Sequence, residues 1–94
     1  MEGAPPHISI KKIQTAVEEL EEVEDIHHVH LWTVGENDVH LEAHLNVPDM
    51  MISKSNILGE KIEELLRRKF GINHITLQFE CNQCLEKGIL GKHK

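Results

Sequence analysis

Hydrophobic and polar positions recur along this chain with two different periods, and the changes of period mark the predicted elements. From Ser9, a predicted N-cap, apolar residues return every three or four positions as far as Val23, which predicts an amphipathic helix. A second helical pattern covers residues 53–69 and stops at Gly71, which suits a left-handed C-cap. The predicted inward positions of the two helices are Ile10, Ile13, Val17, Leu20 and Val23, then Leu58, Ile62, Leu65 and Leu66.

Three other segments have the period of two that is typical of strands with one buried face. Residues 26–34 and 39–47 flank a turn-forming stretch at 35–38 and predict a hairpin, and residues 74–80 follow the second helix. The order helix, strand, strand, helix, strand predicts an α+β fold, αββαβ, with a right-handed crossover. We expect a three-stranded mixed sheet with both helices on one face and the other face open.

Length and charge set the class of the protein. A chain of 94 residues forms one small domain that buries about two-thirds of its unfolded surface, so dimerisation or ligand binding is expected to stabilise it. Prolines 5 and 6 predict a connector at residues 1–8, followed by the domain at 9–81 and a polar tail at 82–94. The net charge of −6 argues against nucleic acid and suits a cation. Because no apolar run approaches the roughly 20 residues that cross a bilayer, we expect a soluble chain.

Metal coordination is the chemistry that the residue types indicate. The chain has eight histidines and a Cys-x-x-Cys pair at Cys81 and Cys84, and imidazole, thiolate and carboxylate are the groups that build zinc sites. A single Cys pair supplies only half of a tetrahedral site. Alternation along the second and third strands turns one set of candidate ligands toward the open face: His40, His44, His74, Gln78 and Glu80.

The first strand leaves two assignments open. If Leu31 faces the core, simple alternation turns His28, His30 and Trp32 outward and His27 inward. A ligand at the first residue of a strand need not follow the alternation, because pairing has only begun there, so His27 remains an alternative to His28 or His30. We expect Trp32, the only tryptophan, to be a packing or dimer-interface residue.

Three short sequences carry a family resemblance when they are taken together: HHVHLWT at residues 27–33, LEAHL at 41–45 and ITLQFE at 75–80. With the helix end FGI at 70–72, they resemble the cytoplasmic C-terminal domain of the cation diffusion facilitator (CDF) metal transporters. The resemblance covers nearly the whole chain and implies a ferredoxin-like or metallochaperone-like fold and a homodimer. It also implies a regulatory domain of a cation efflux transporter at the cytoplasmic face of the membrane, whose metal binding shifts the dimer toward a transport-competent arrangement.

The resemblance also implies partners and ligands. Residues 1–6 resemble the segment that leaves the last transmembrane helix, so the transmembrane domain of the same transporter is an expected partner. The bound cation is expected to be Zn²⁺, or another divalent cation such as Cd²⁺, Co²⁺ or Ni²⁺. The main ligands that match the family are His27, His44 and Glu80.

Further candidate ligands follow from the same comparison and from the strand pattern. Gln78 stands where some bacterial members have a histidine for a second metal, and glutamine is a poor zinc ligand. Cys81 and Cys84 match the spacing of a pair that holds a further zinc in related eukaryotic transporters. His74 is a candidate from its outward position on the third strand.

Two other functional classes stay open on the sequence. One is a stand-alone metallochaperone or small-ligand sensor with the same layered architecture. The other is a small enzyme that uses His and Glu as acid and base, which is disfavoured because the polar residues lie on an open sheet face without an evident pocket or an activated nucleophile. The sequence therefore favours a metal-binding regulatory domain that is not an enzyme.

Overall fold

The architecture was taken from a computed structural model that describes residues 2–3 and 8–81. Its elements are β1 (Glu2–Gly3), α1 (Ile10–Glu18), β2 (Asp25–Val34), β3 (Asp38–Asn46), α2 (Ile52–Phe70) and β4 (His74–Glu80). The sheet has the order β1-β2-β3-β4, and only the β3–β4 pair is parallel. The predicted α+β fold, with two helices and a mixed sheet of three main strands, is confirmed. The two-residue β1 lies within the predicted connector and pairs with β2, so it adds a short fourth strand to the sheet.

Helix α1 is shorter than the apolar periodicity indicates. The Ser9 side chain caps it by accepting a hydrogen bond from the Lys12 N–H at 3.2 Å, as predicted, but the helix ends at Glu18 rather than near Val23. Negative charge at a helix C-terminus is unfavourable, which disfavours extension through the following glutamates. The Glu18 carboxylate instead accepts a hydrogen bond from the Ile26 N–H at 3.1 Å, so it joins the end of α1 to the start of β2.

Helix α2 matches its predicted limits to within one residue at each end. Gly71 has φ +72°, and its N–H donates to the Arg67 carbonyl, which is the left-handed cap expected from the sequence. Three basic residues in the last turn complement the negative end of the helix dipole. Within residues 2–3 and 8–81, neither helix combines the length and the apolar character that a membrane span requires.

The hydrophobic core lies between the two helices and one face of the sheet. Alternate residues of β3 supply its centre, and the helices cover them with residues three or four positions apart, as the two periods predict. The residues at this interface that are less than 2% exposed include Ile13, Val17, Leu41, Ala43, Leu45, Ile62 and Leu66. Because both helices lie on this side, the intervening positions of the strands face away from the core.

Candidate metal centre

A β-bulge near the start of β2 decides which histidines face outward. His27 pairs with His44 and His30 pairs with Glu42, so three steps on β2 match two steps on β3. One extra residue therefore lies in β2 between these pairs, and it changes the facing of all the residues on one side of it. His28, inside the bulge, has φ +51°.

The bulge explains why simple alternation placed His27 on the core side of the first strand. Ile26 and Leu31 are five positions apart and would face opposite sides of a regular strand, yet they are 3% and 9% exposed and both belong to the core. With the bulge between them, His27 lies on the open face beside His44. The family resemblance thus selected the residue that the structure places on this face, whereas counting back from Leu31 did not.

His27, His44 and Glu80 converge where the beginning of β2 meets the ends of β3 and β4. His27 Nε2 lies 3.2 Å from Glu80 Oε1, and His44 Nδ1 lies 2.7 Å from Glu80 Oε2. One donor atom of each residue lies within 4.8 Å of the other two. We call these three residues the triad. Their side chains are 30–33% exposed, so they remain open to solvent.

The spacing of the triad suits a small divalent cation. With metal–ligand distances of about 2.0–2.2 Å, the donors of a tetrahedral zinc site lie about 3.3 Å apart. The separations of 3.2 and 2.7 Å at Glu80 involve its two different oxygens, and one donor atom of each residue lies within 4.8 Å of the other two. Two imidazoles and one carboxylate form a donor set found at zinc sites, and they leave a fourth position open.

Two polar residues outside the triad hold His27 in place. Asp25 Oδ1 lies 3.0 Å from His27 Nδ1 and accepts a second hydrogen bond from Asn46 Nδ2, also at 3.0 Å. This arrangement directs Nε2, the other ring nitrogen, toward Glu80. A carboxylate behind a ligating histidine fixes the ring orientation and strengthens its donor nitrogen.

Neither of these supporting residues was predicted from the sequence. Asp25 stands two positions before His27, so it shares the same face of the strand, and this spacing was the available signal. Asn46 was predicted to face outward, yet it is only 7% exposed. Its Oδ1 is buried without a hydrogen-bond partner, while its Nδ2 anchors Asp25.

Carboxylates on both sides of the imidazole control the protonation of His27. The hydrogen bond to Asp25 is the main cause that raises the pKa of His27 above 6.5; burial, the next largest effect, opposes it, and the charge of Glu80 adds a smaller increase. In the doubly protonated ring, Nδ1–H donates to Asp25 and Nε2–H donates to Glu80. A metal at Nε2 has to displace one of these protons and can leave the other on Nδ1.

The raised pKa predicts opposite pH dependences for the metal-free fold and for metal binding. Protonated His27 stabilises the metal-free fold fully below pH 6.5, and this contribution is lost as pH rises through the higher pKa of the folded state. Metal affinity instead increases over that interval, because the proton at Nε2 no longer competes. We expect Asp25→Asn to lower the His27 pKa, so that metal affinity begins to rise at lower pH, and to weaken the affinity reached at higher pH because the donor nitrogen loses its supporting carboxylate. NMR titration of the His27 ring, with metal affinity measured across the same pH range, checks both shifts.

Asp38→Asn is the matched control for this substitution. Asp38 also lies near a histidine, 3.5 Å from His74 Nε2, but outside the triad. The explanation is wrong if both asparagine variants move the His27 pKa equally, or if neither moves it.

The remaining candidate ligands occupy different places. Gln78 is the register partner of His44, and its Nε2 lies 3.5 Å from Glu80 Oε2, so its amide borders the triad and donates to it. Cys81 directly follows β4 and is half-buried, whereas Cys84 lies outside the described residues. Metal binding by this pair stays a prediction.

His74 and Trp32 belong to a separate aromatic stack on the open face. The ring centroids of Trp32 and His40 are 5.3 Å apart, and those of His40 and His74 are 4.2 Å apart at 11° between planes. His40 stands four residues before His44 on β3, which separates the stack from the triad by about 13 Å along the strand. The structure therefore does not bring His74 to the triad, and Trp32 stays a predicted interface residue.

Sequence comparisons with known proteins found several relatives of this chain. Residues 5–81 match the family model described as the cytoplasmic domain of cation efflux proteins. The chain is 37% identical over 81 residues to a cadmium, cobalt and zinc/H(+)-K(+) antiporter of Bacillus subtilis, covering 85% of this chain and 26% of that protein. It is 36% identical over 85 residues to the zinc transporter ZitB of Pectobacterium atrosepticum, covering 89% of this chain and 26% of that one. The chain thus spans about a quarter of the length of these curated relatives.

Solved structures show the same fold. A structure of CzrB superimposes with a TM-score of 0.74 at 23% identity, over 85% of this chain and 99% of that one. The metal-bound C-terminal domain of the CzcD transporter from Cuprividus metallidurans superimposes with a TM-score of 0.66 at 23% identity, over 78% of this chain and 99% of that chain.

Proposed function

Because this chain belongs to the cation efflux protein family as its cytoplasmic domain, we propose that it binds Zn²⁺ and regulates a homodimeric zinc efflux transporter. The observation that carries the proposal is the convergence of His27, His44 and Glu80, whose donor atoms lie within 4.8 Å of one another on the open face. The family is one of transporters, which agrees with the prediction that the chain is not an enzyme. It also supports a transporter domain over the stand-alone metallochaperone or sensor that the sequence left open.

The donor chemistry of the triad supports zinc as the cation. Two imidazoles and a carboxylate suit borderline metals, and the open fourth position fits a tetrahedral ion. Cd²⁺, Co²⁺ and Ni²⁺ are accepted by similar donors, and one relative is named as a cadmium, cobalt and zinc antiporter. The geometry of the site and the availability of each metal in the cell, rather than donor type alone, decide which of these cations is bound.

The proposed regulation follows from the position of the triad at the junction of three strands. A divalent cation held by the two histidines and Glu80 would connect the three strands, so it fixes the relative positions of β2, β3 and β4. It also reduces the negative charge of a chain with net charge −6, which lessens repulsion between two copies. A dimer arrangement that binds the cation more tightly becomes more populated, and the membrane part responds to that arrangement.

Zinc titration of the 94-residue chain tests this proposal. Calorimetry is expected to show saturable binding with release of protons at a pH below the raised pKa of His27, because the cation displaces the proton at His27 Nε2. Small-angle scattering on the same samples is expected to show a more compact dimer with zinc than without it.

His44→Ala is expected to abolish both the heat and the compaction, and His40→Ala is the matched control because His40 lies in the separate aromatic stack. Absence of saturable zinc binding by the parent chain contradicts the metal site. Binding without any change in dimer shape contradicts the regulatory mechanism alone.

A further inference from the structure

The bulge in β2 places two consecutive histidines beside the same partner. Adjacent residues of a regular strand point to opposite faces, so His28 would point toward the core if His27 points away from it. Instead the ring centroid of His28 lies 5.0 Å from that of His27 and 5.1 Å from that of His44. Bulges are known to redirect a side chain near functional sites, and this one gathers three imidazoles at one end of the open face.

The backbone of His28 indicates that this placement is maintained against a local preference. Its φ of +51° is the only positive φ of a non-glycine residue within the part of the chain that the structure describes. Few non-glycine residues adopt this conformation, although asparagine, aspartate and histidine do so more often than the others, and such conformations concentrate at binding sites. The imidazole itself is exposed to solvent, so core packing does not account for a histidine at this position.

The distances between the three rings match those of a shared metal. Two imidazoles bound to one tetrahedral zinc, with Zn–N distances of about 2.0–2.1 Å, have ring centroids about 5.2 Å apart. The observed separations among His27, His28 and His44 are 5.0, 5.1 and 5.6 Å. The rings are thus spaced as around a common centre, but the donor atoms that already lie within 4.8 Å of one another are those of His27, His44 and Glu80, so the exposed His28 side chain has to rotate to turn a nitrogen toward the cation.

We propose that His28 supplies the fourth ligand and closes the metal site within a single chain. This inference rests on the proposed zinc binding by the triad and adds a donor to it. A site of three imidazoles and Glu80 has no position left for exchangeable water, as in structural rather than catalytic zinc sites. Each protomer then binds its own cation without a ligand from its partner.

His28→Asn in the 94-residue chain tests the fourth ligand, because asparagine tolerates the left-handed backbone and removes only the imidazole. We expect the Zn²⁺ affinity, measured by competition with a chromophoric chelator, to fall at least about 10-fold, the lower limit for loss of even an outer-shell partner. Zinc X-ray absorption is expected to count three imidazoles in the parent and two in the variant. The control is His30→Asn, an exposed histidine on the same strand whose substitution should leave both measurements unchanged.

His28→Gly separates ligation from a purely conformational role. Glycine relieves the left-handed backbone, so the melting temperature of the metal-free chain should rise while the further increase caused by zinc becomes smaller. If His28→Asn binds zinc as tightly as the parent, or if the parent shows only two imidazoles, the fourth-ligand assignment is wrong and the triad still stands. If the parent binds no zinc, the proposed function fails as well.

Discussion

Glu80→Gln should abolish Zn²⁺ binding at micromolar concentrations, because this carboxylate lies within hydrogen-bond distance of both His27 and His44. Loss of an outer-shell partner already weakens a metal site about 10- to 100-fold, so loss of a charged ligand is expected to cost at least about 100-fold. Glutamine keeps the size of the side chain and removes its charge. Isothermal titration calorimetry, supported by chelator competition, measures the change.

Glu42→Gln is the matched control for this experiment. Glu42 lies on the same strand as His44 and is exposed, but its register partner on β2 is His30 rather than a triad residue. It removes the same charge from the chain, so an equal loss of affinity in the two variants would show that overall charge, rather than ligation, determines binding. Retained affinity in Glu80→Gln would exclude the triad as the main site.

Glu80→Gln has a second expected effect, on the pKa of His27, that requires no metal. Glu80 contributes to the raised pKa of His27, after the larger effect of Asp25, so glutamine at position 80 should lower that pKa without returning it fully to its ordinary value. The two carboxylates therefore set the proton affinity of His27 on opposite sides of one ring. Metal and proton compete at Nε2, which connects the binding site to the pH of its surroundings.

The fold was predictable because its signals are local and repeated. Ser9 and Gly71 mark helix ends with side-chain and backbone chemistry that does not depend on the rest of the molecule. The alternation of β3 and β4 is regular, so it placed His44 and Glu80 on the open face correctly. Periodicity predicted the end of α1 less well. The helix stops at Glu18, and Val23 is buried although it lies beyond the helix.

The site was only partly predictable because its decisive feature is a break in the pattern. A single inserted residue reverses which side of the sheet the following residues face. His28 adopts a left-handed φ without a neighbouring glycine or asparagine, the residues that usually indicate this conformation in a sequence. The support of His27 by Asp25 and Asn46 also depends on the pairing of β2 with β3, which sequence periodicity does not specify. Family resemblance supplied His27 where alternation failed.

The largest expected effect on stability comes from the core beneath the sheet. Ile62 is fully buried in α2 and belongs to the cluster that packs on the inner face, so Ile62→Ala should destabilise the metal-free chain by about 2–5 kcal/mol. A domain of this size loses roughly 4–8 °C in melting temperature per kcal/mol. Ile57→Ala is the matched control, because Ile57 is on the same helix but 66% exposed. Calorimetric melting of both variants measures the difference.

Zinc should restore part of the stability that Ile62→Ala removes, because binding to the folded state alone stabilises it. At a free zinc concentration of about 100 times the Kd, the gain is about 2.7 kcal/mol, which is comparable to the loss. Ile62 lies on the opposite side of the sheet from the triad, so the intrinsic affinity of the folded state should be unchanged. The apparent affinity then falls only by the fraction of chains that are unfolded. If zinc stabilises the parent but not Ile62→Ala, the core and the metal site are coupled directly through the sheet rather than only through the folding equilibrium.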